Sequence, residues 1–192
     1  MMENESMTLR RDTLIKYLNR DSQTMFVETG TWDGRTVKMA LDSGCDKIVS
    51  IETDPTLYDT AMVRFAGNDK VKLLHGESTF WLPLVCKSAE CPILFWLDAH
   101  VQEHYIGGSV IVPLMEELEI LSQCDNPLIK DSTIMIDDMR LVGTGYGWEH
   151  ISKVGIITAL LKINKDFTIV YEDSKAAKQD IMVAYPRGMY NA

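Results

Sequence analysis

An apolar run that ends in an acid, and then breaks into two glycines four residues apart, constrains this chain more than any other stretch. Met25, Phe26 and Val27 lead into Glu28-Thr29-Gly30-Thr31-Trp32-Asp33-Gly34. An apolar-periodic segment with Val37, Met39, Ala40 and Leu41 follows. The pattern predicts a strand, a tight turn and a helix. Gly30 lets the chain turn at little steric cost and lets a ligand approach the backbone. Gly34 opens the helix, whose free N–H groups point back at the turn. A plain strand-to-helix connection would use the same residues. The functional reading is a small ligand above the carboxyl end of the strand.

The spacing narrows that ligand. A nicotinamide dinucleotide site wants Gly-x-Gly-x-x-Gly, but Trp32 stands where the middle glycine belongs and Asp33 takes the third position after Gly30. A P-loop would need Gly-Lys-Ser/Thr, which is absent here. What remains is acid-x-Gly-x-x-x-Gly. Glu28, expected at the strand tip, suits a ligand with a positive charge such as an amino acid's ammonium.

Strand and helix patterns then alternate along the chain. A short helix over residues 8–19 precedes the first strand, and the first crossover helix covers residues 34–43, with Gly44 at its C-cap. The second strand, from Lys47, ends in Glu52, and Asp54-Pro55 starts the next helix. A third strand, residues 71–74, leads into Gly76-Glu77-Ser78 and a short helix through Trp81 and Leu84. The fourth strand, Ile93–Leu97, is apolar throughout, as central parallel strands are, and ends in Asp98. A helix over residues 110–122 leads to the fifth strand, Thr133–Ile136, which ends in Asp137-Asp138. The last helix is expected over residues 150–163. Residues 167–171 and 181–185 close the chain as a hairpin. The expected architecture is α/β, a doubly wound Rossmann-like sheet, mostly parallel with an antiparallel last strand. Residues 1–192 read as one domain with an N-terminal helical extension over residues 1–22.

Parallel strands place their carboxyl ends on one edge. Four of these strands end in acids there: Glu28, Glu52, Asp98 and Asp137. Each acid alone would also serve as a helix cap. A carboxylate at Glu52 can accept two hydrogen bonds from a ribose diol.

These residues carry a resemblance to class I S-adenosylmethionine-dependent methyltransferases. The acid and outer glycines of that family's first motif stand at Glu28, Gly30 and Gly34, and the chain departs from it at Trp32. Residues 180–185 resemble the family's seventh strand, inserted antiparallel beside the fifth, so the resemblance runs from about Met25 onward. It implies a seven-stranded sheet in the order 3-2-1-4-5-7-6, with S-adenosyl-L-methionine as cofactor. It also implies cofactor contacts at Glu28, Gly30, Thr31, Trp32, Gly34, Glu52, Thr53 and Asp98, with adenine near Gly76, Glu77 and Ser78.

Asp98, Asp137 and Asp138 converge from neighbouring strand ends, and such carboxylates repel unless something cationic sits among them. Mg²⁺ prefers oxygen ligands of this kind and could lower the pKa of a bound hydroxyl. The arrangement resembles that of cation-dependent, catechol-type O-methyltransferases, which implies a metal at Asp98, Asp137 and Asp138. The chain is also similar to a little-described bacterial group of small methyltransferases, through Glu28–Trp32, Phe95–His100 and Ile136–Arg140. It departs from that group at Ala99 and in the segment separating His100 from His104-Tyr105-Ile106-Gly107-Gly108.

His100 and His104 read as general bases, as metal ligands or as polar loop residues. Asp98, His100 and Asp137 form the expected catalytic set. His75 and His150 read as structural, and Trp81 and Trp96 as core. Trp32 reads either as a cover for the methionine tail or as loop packing. The loop with Gly143, Gly145 and Gly147, bearing Tyr146 and Trp148, reads as a substrate lid or as a plain connection.

A formal charge of −9 does not invite nucleic acid, and no Lys/Arg run appears in the sequence. No apolar run is long enough for a membrane span. The acidic, polar start at Met1–Ser6 is unlike a signal peptide. Cys45, Cys86, Cys91 and Cys124 lack metal-type spacing, though Cys86 and Cys91 could reach one another across a loop. Reduced thiols in a cytoplasmic protein are expected. The function expected is methyl transfer to a small molecule, O-methylation first and assisted by a divalent cation, by a chain that could form a homodimer. The alternatives are a metal-independent N- or O-methyltransferase with a histidine base, and a non-catalytic cofactor-binding module.

Overall fold

The computed structural model describes residues 8–18, 23–100 and 111–190. At its centre lie two strands buried at every position, β1 (Met25–Thr29) and β4 (Ile93–Leu97), paired parallel to one another. β4 is apolar throughout because both of its faces are covered, whereas β1 closes on the buried Glu28 and Thr29. β2 (Lys47–Glu52) and β3 (Val71–His75) extend the sheet on one side and β5 (Thr133–Ile136) on the other, all parallel. β6 (Phe167–Glu172) and β7 (Ile181–Pro186) form the closing hairpin. β7 inserts antiparallel between β5 and β6, giving the expected order β3-β2-β1-β4-β5-β7-β6.

Side chains alternate across the strands and build two apolar layers. Phe26, Leu94, Trp96, Met135 and Val183 face a layer shared with α1 (Arg11–Tyr17), α2 (Arg35–Asp42) and α3 (Pro55–Arg64). Val27, Phe95, Leu97, Ile134 and Met182 face the layer of α4 (Ser78–Lys87), α5 (Leu114–Gln123) and α6 (Lys153–Ile163). Trp96 is fully buried, as expected. Trp81 is only partly buried and donates its indole N–H to the His75 carbonyl at 2.9 Å. Among the described residues, no helix is long and apolar enough to cross a membrane.

Helix starts follow their caps. Asp54 accepts from the Leu57 N–H at 2.7 Å, with Pro55 next to it. Ser152 accepts from the Gly155 N–H at 3.0 Å, so α6 begins at Lys153 and leaves His150 in the preceding turn, later than expected. α1 is also shorter than expected, because residues 8–10 are bonded elsewhere: the Thr8 carbonyl accepts from the Lys175 N–H at 2.8 Å and the Arg10 Nε–H donates to the Ser174 carbonyl at 3.0 Å. This extended strap lies against the end of β5 and the β6–β7 link. The loop expected as a lid is a series of hydrogen-bonded turns, and its Trp148 is buried in the α4–α6 layer rather than free to swing.

Candidate functional site

The turn after β1 takes three left-handed residues, Gly30 (φ +86°), Trp32 (φ +50°) and Gly34 (φ +73°). Gly30 and Thr31 donate their N–H groups to the Ile51 carbonyl at 2.9 and 3.2 Å. A Cβ on Gly30 would lie 2.8 Å from the Asp98 carbonyl oxygen, so glycine here lets two strand ends meet. Trp32 is 39% exposed on the outside of the turn.

Glu28 does not present its carboxylate at the strand tip as expected. β1 runs on to Thr29, and pleating turns Glu28 under α2, on the face of Phe26. It accepts from the Ser50 hydroxyl at 2.6 Å and from Thr36. Ser50 in turn bonds the Thr31 hydroxyl at 2.6 Å, so Glu28 braces the turn from beneath. Burial pushes its carboxyl up to about 8, against the lowering effect of the Ser50 and Thr36 bonds.

Glu52 lies at the rim, 7% exposed. Its Oε2 accepts from the Trp32 N–H at 2.8 Å, its Oε1 from the Asp54 N–H at 2.9 Å, and the Thr53 N–H adds a third bond. Burial raises its carboxyl above the usual range while these bonds hold it down. A carboxylate offers roughly four acceptor sites, so Glu52 keeps capacity for a further donor. Gly76 (φ +131°) donates to the Glu52 carbonyl at 2.8 Å, and Glu77 stands at the start of α4. Ser78 departs from its expected role, because it is buried with its hydroxyl bonded to Glu117 of α5.

At the ends of β4 and β5 an imidazole lies between two carboxylates. His100 Nε2 is 3.0 Å from Asp138 Oδ2, and its Nδ1 is 3.6 Å from Asp98 Oδ1. Trp148 meets the ring edge-on at 6.0 Å, and the Trp96 indole N–H donates to Asp98 Oδ2 at 3.2 Å. Burial, then Asp137, Asp138 and Glu28, raise the Asp98 carboxyl well above the usual range. Asp138 holds a left-handed backbone (φ +62°), a strained conformation for a non-glycine residue. Its other oxygen faces the Arg140 guanidinium at 2.5 Å, and the same guanidinium pairs with the fully buried Asp180.

The expected metal set does not assemble as one cluster. Asp137 turns one oxygen to the Thr8 hydroxyl, while the other has no hydrogen-bond partner among the described residues. Two groups that share Asp138 have ligand atoms within 4.8 Å of one another: Asp98, His100 and Asp138, and Asp137, Asp138 and Asp180. His100 thus stands where the third carboxylate was expected. Burial and then Asp138 push Asp137 up to about 7. His104 lies outside the described residues.

The sequence reading missed Glu117, Arg140 and Asp180. Glu117 is 1% exposed, and burial pushes it up to about 7 against bonds from Ser78 and Thr29. It lines a small cavity together with Asp98, His100 and Asp137, and its Oε1 has no hydrogen-bond partner among the described residues. The available signal was an acid at a core position of α5, one residue before Leu118.

No protein-family model matches the sequence, and no curated protein matches it. Solved structures do. A candidate rRNA methylase from Clostridium thermocellum superposes with a TM-score of 0.63 at 12% identity, covering 91% of this chain and 94% of that one. Human methyltransferase-like protein 13, in complex with SAH, gives a TM-score of 0.59 at 15% identity, covering 96% and 80%. Spermidine synthase from Thermotoga maritima gives 0.58 at 13% identity, covering 93% of this chain and 60% of that one. At these identities the likeness concerns the backbone. With its strand order and inserted antiparallel β7, this chain has the Rossmann-like fold of the class I S-adenosylmethionine-dependent methyltransferases.

Proposed function

We propose that the chain is an S-adenosylmethionine-dependent methyltransferase that methylates an oxygen of a small-molecule acceptor, with His100 as proton acceptor. One observation carries this reading. Glu52, tied to the glycine turn, and His100, wedged between Asp98 and Asp138, stand on the same sheet edge. The residues fit the cofactor: the turn at residues 30–34 and Glu52 would hold it, with Glu52 retaining acceptor capacity for the ribose diol. When bound, the cofactor supplies an electrophilic methyl group on a sulfonium sulfur.

The chain's own residues would do the rest. Asp138, at the closer contact, would orient the ring by accepting from Nε2, leaving Nδ1 to receive a proton from an acceptor hydroxyl. Arg140 balances the charge of Asp138 from behind. Burial around Glu117 and Asp137 supports transfer in a poorly solvated site. The formal charge of −9 favours a small acceptor over the rRNA named for some structural neighbours. The free cysteines suit a reducing, cytoplasmic setting.

A second reading places a divalent cation at Asp98, His100 and Asp138, favoured by the proximity of their ligand atoms. Titration calorimetry with S-adenosylmethionine, followed by turnover assays with and without EDTA, decides. Binding, activity that survives EDTA, and a loss of about 10²–10⁴-fold in His100→Ala are expected. Activity abolished by EDTA and restored by Mg²⁺ would move the chemistry to the cation. Failure to bind S-adenosylmethionine would sink both readings.

A further inference from the structure

Although the chain is acidic overall, one groove on it is strongly cationic. Arg10, Arg11, Arg35, Lys38, Arg64 and Lys175 line a cavity of about 710 Å³. Only Asp12 and Asp42 oppose them in the lining. No run of basic residues announces this site in the sequence, because α1, α2, the end of α3 and the β6–β7 link each contribute part of it.

How these cations are held matters. Arg10 Nε donates to the Ser174 carbonyl and Arg11 Nη2 to the Asp42 carbonyl, both at 3.0 Å, and Arg64 donates to the Asp33 carbonyl. Carbonyl oxygens orient a guanidinium without neutralising it, and each fork keeps further donors. Lys38 pairs with Asp42 and Arg35 with Asp33, both at 2.5 Å. Lys175 makes no ion pair among the described residues. Burial and then the neighbouring Arg35 and Arg10 lower its pKa, as expected where positive charge is left unbalanced.

Two short stretches of chain link the groove to the candidate site. Arg35 follows Gly34 of the cofactor turn. Arg10 lies two residues beyond Thr8, whose hydroxyl bonds Asp137, and the Lys175 N–H bonds the Thr8 carbonyl. Guanidinium forks match phosphate oxygens. The cavity falls in the range of small-molecule sites, roughly 300–1,000 Å³. A nucleic-acid surface would extend its cations along a stripe, whereas here they gather in one groove of a chain carrying −9. We propose that this groove binds the phosphate of a small phosphorylated acceptor and so selects which molecule reaches His100. The inference rests on the methyl-transfer reading for the ligand's role as acceptor, whereas anion binding does not require the cofactor.

The test is calorimetric titration of the full chain with inorganic pyrophosphate at low salt, without cofactor. Saturable binding is expected, weakened at least about tenfold in the charge-reversed double variant Arg10→Glu/Lys175→Glu. The charge-preserving pair Arg10→Lys/Lys175→Arg should retain binding and guards against misfolding, and Lys162→Ala on α6 should bind as the parent chain does. Absent pyrophosphate binding, or equal binding by the charge-reversed variant, would overturn the proposal. So would a short single-stranded RNA that binds more tightly than pyrophosphate through the same residues. S-adenosylmethionine affinity, measured separately, should not change in these variants. Its absence alongside intact pyrophosphate binding would fell the methyl-transfer reading and leave the anion site standing.

Discussion

Glu28, Glu117 and Asp137 are carboxylic acids that the fold prefers to keep protonated, and this fixes the sign of a pH effect. For Glu28, burial raises the carboxyl from an ordinary 4.5 to about 8. Its protonated form is favoured in the folded state, so its stabilising contribution is complete below pH 4.5 and is lost as pH rises through about 8. Glu28→Gln should therefore flatten the fall in Tm between those pH values, a difference of a few kcal/mol at the upper end. Thermal unfolding across the pH range checks it, and an unchanged slope would remove Glu28 as the source. Glu52 allows a binding test. Glu52→Ala should weaken S-adenosylmethionine binding by about 1.5–3 kcal/mol, the range for hydrogen bonds to a charged group. An unaltered dissociation constant in a folded variant would exclude it from the cofactor site. Glu117→Gln keeps the bonding shape of Glu117 while removing its charge. If Glu117 tunes the edge electrostatically, the variant should shift the pH profile of kcat while leaving KM nearly constant.

At the scale of elements, two glycines isolate what the β1 turn demands. Gly30 and Gly44 both hold left-handed backbones, at φ +86° and +96°. A Cβ on Gly44 meets nothing within 4 Å, whereas one on Gly30 meets the Asp98 carbonyl at 2.8 Å. Gly44→Ala should cost about 1–2 kcal/mol in urea unfolding from backbone strain alone, and Gly30→Ala clearly more; equal costs would show that the strand ends part freely. The strands were legible because their apolar runs, bounded by acids and glycines, register burial on both faces. The acids at the strand ends were legible for the same reason: each sits where an apolar run stops. Depth along the strand decided the rest. Glu28 and Glu52 look alike in sequence and fall on the same face, yet Glu28 pairs with Ser50 inside the sheet while Glu52 is the last residue of β2, at the rim. Glu117 hides among Glu116 and Glu119, and nothing short of the packing of α5 distinguishes it from a solvated acid. The bridge made by His100 and the pairing of Arg140 with Asp180 join residues far apart in sequence, which local periodicity does not encode.

For the whole molecule, the segment before β1 belongs to the layer it covers. Leu9, Leu14 and Tyr17 are buried there, with Tyr17 packed against Tyr185 and Tyr190 at ring separations of 5.8 and 5.2 Å. Each such side chain contributes about 1.5–3 kcal/mol by leaving water. A chain shortened to begin at residue 23 should lose several kcal/mol, read as a lower Tm with increased binding of a hydrophobic dye; an unchanged Tm would show the helix to be an appendage. The strap at residues 8–10 adds a consequence in time. Thr8 is among the first described residues to leave a ribosome, but its partners Asp137 and Lys175 are translated much later. The end of β5 therefore lacks its strap through most of synthesis. A nascent chain arrested before β6 lacks Ser174 and Lys175 and should leave the strap open to proteases, and the final hairpin, on emerging, ties it down.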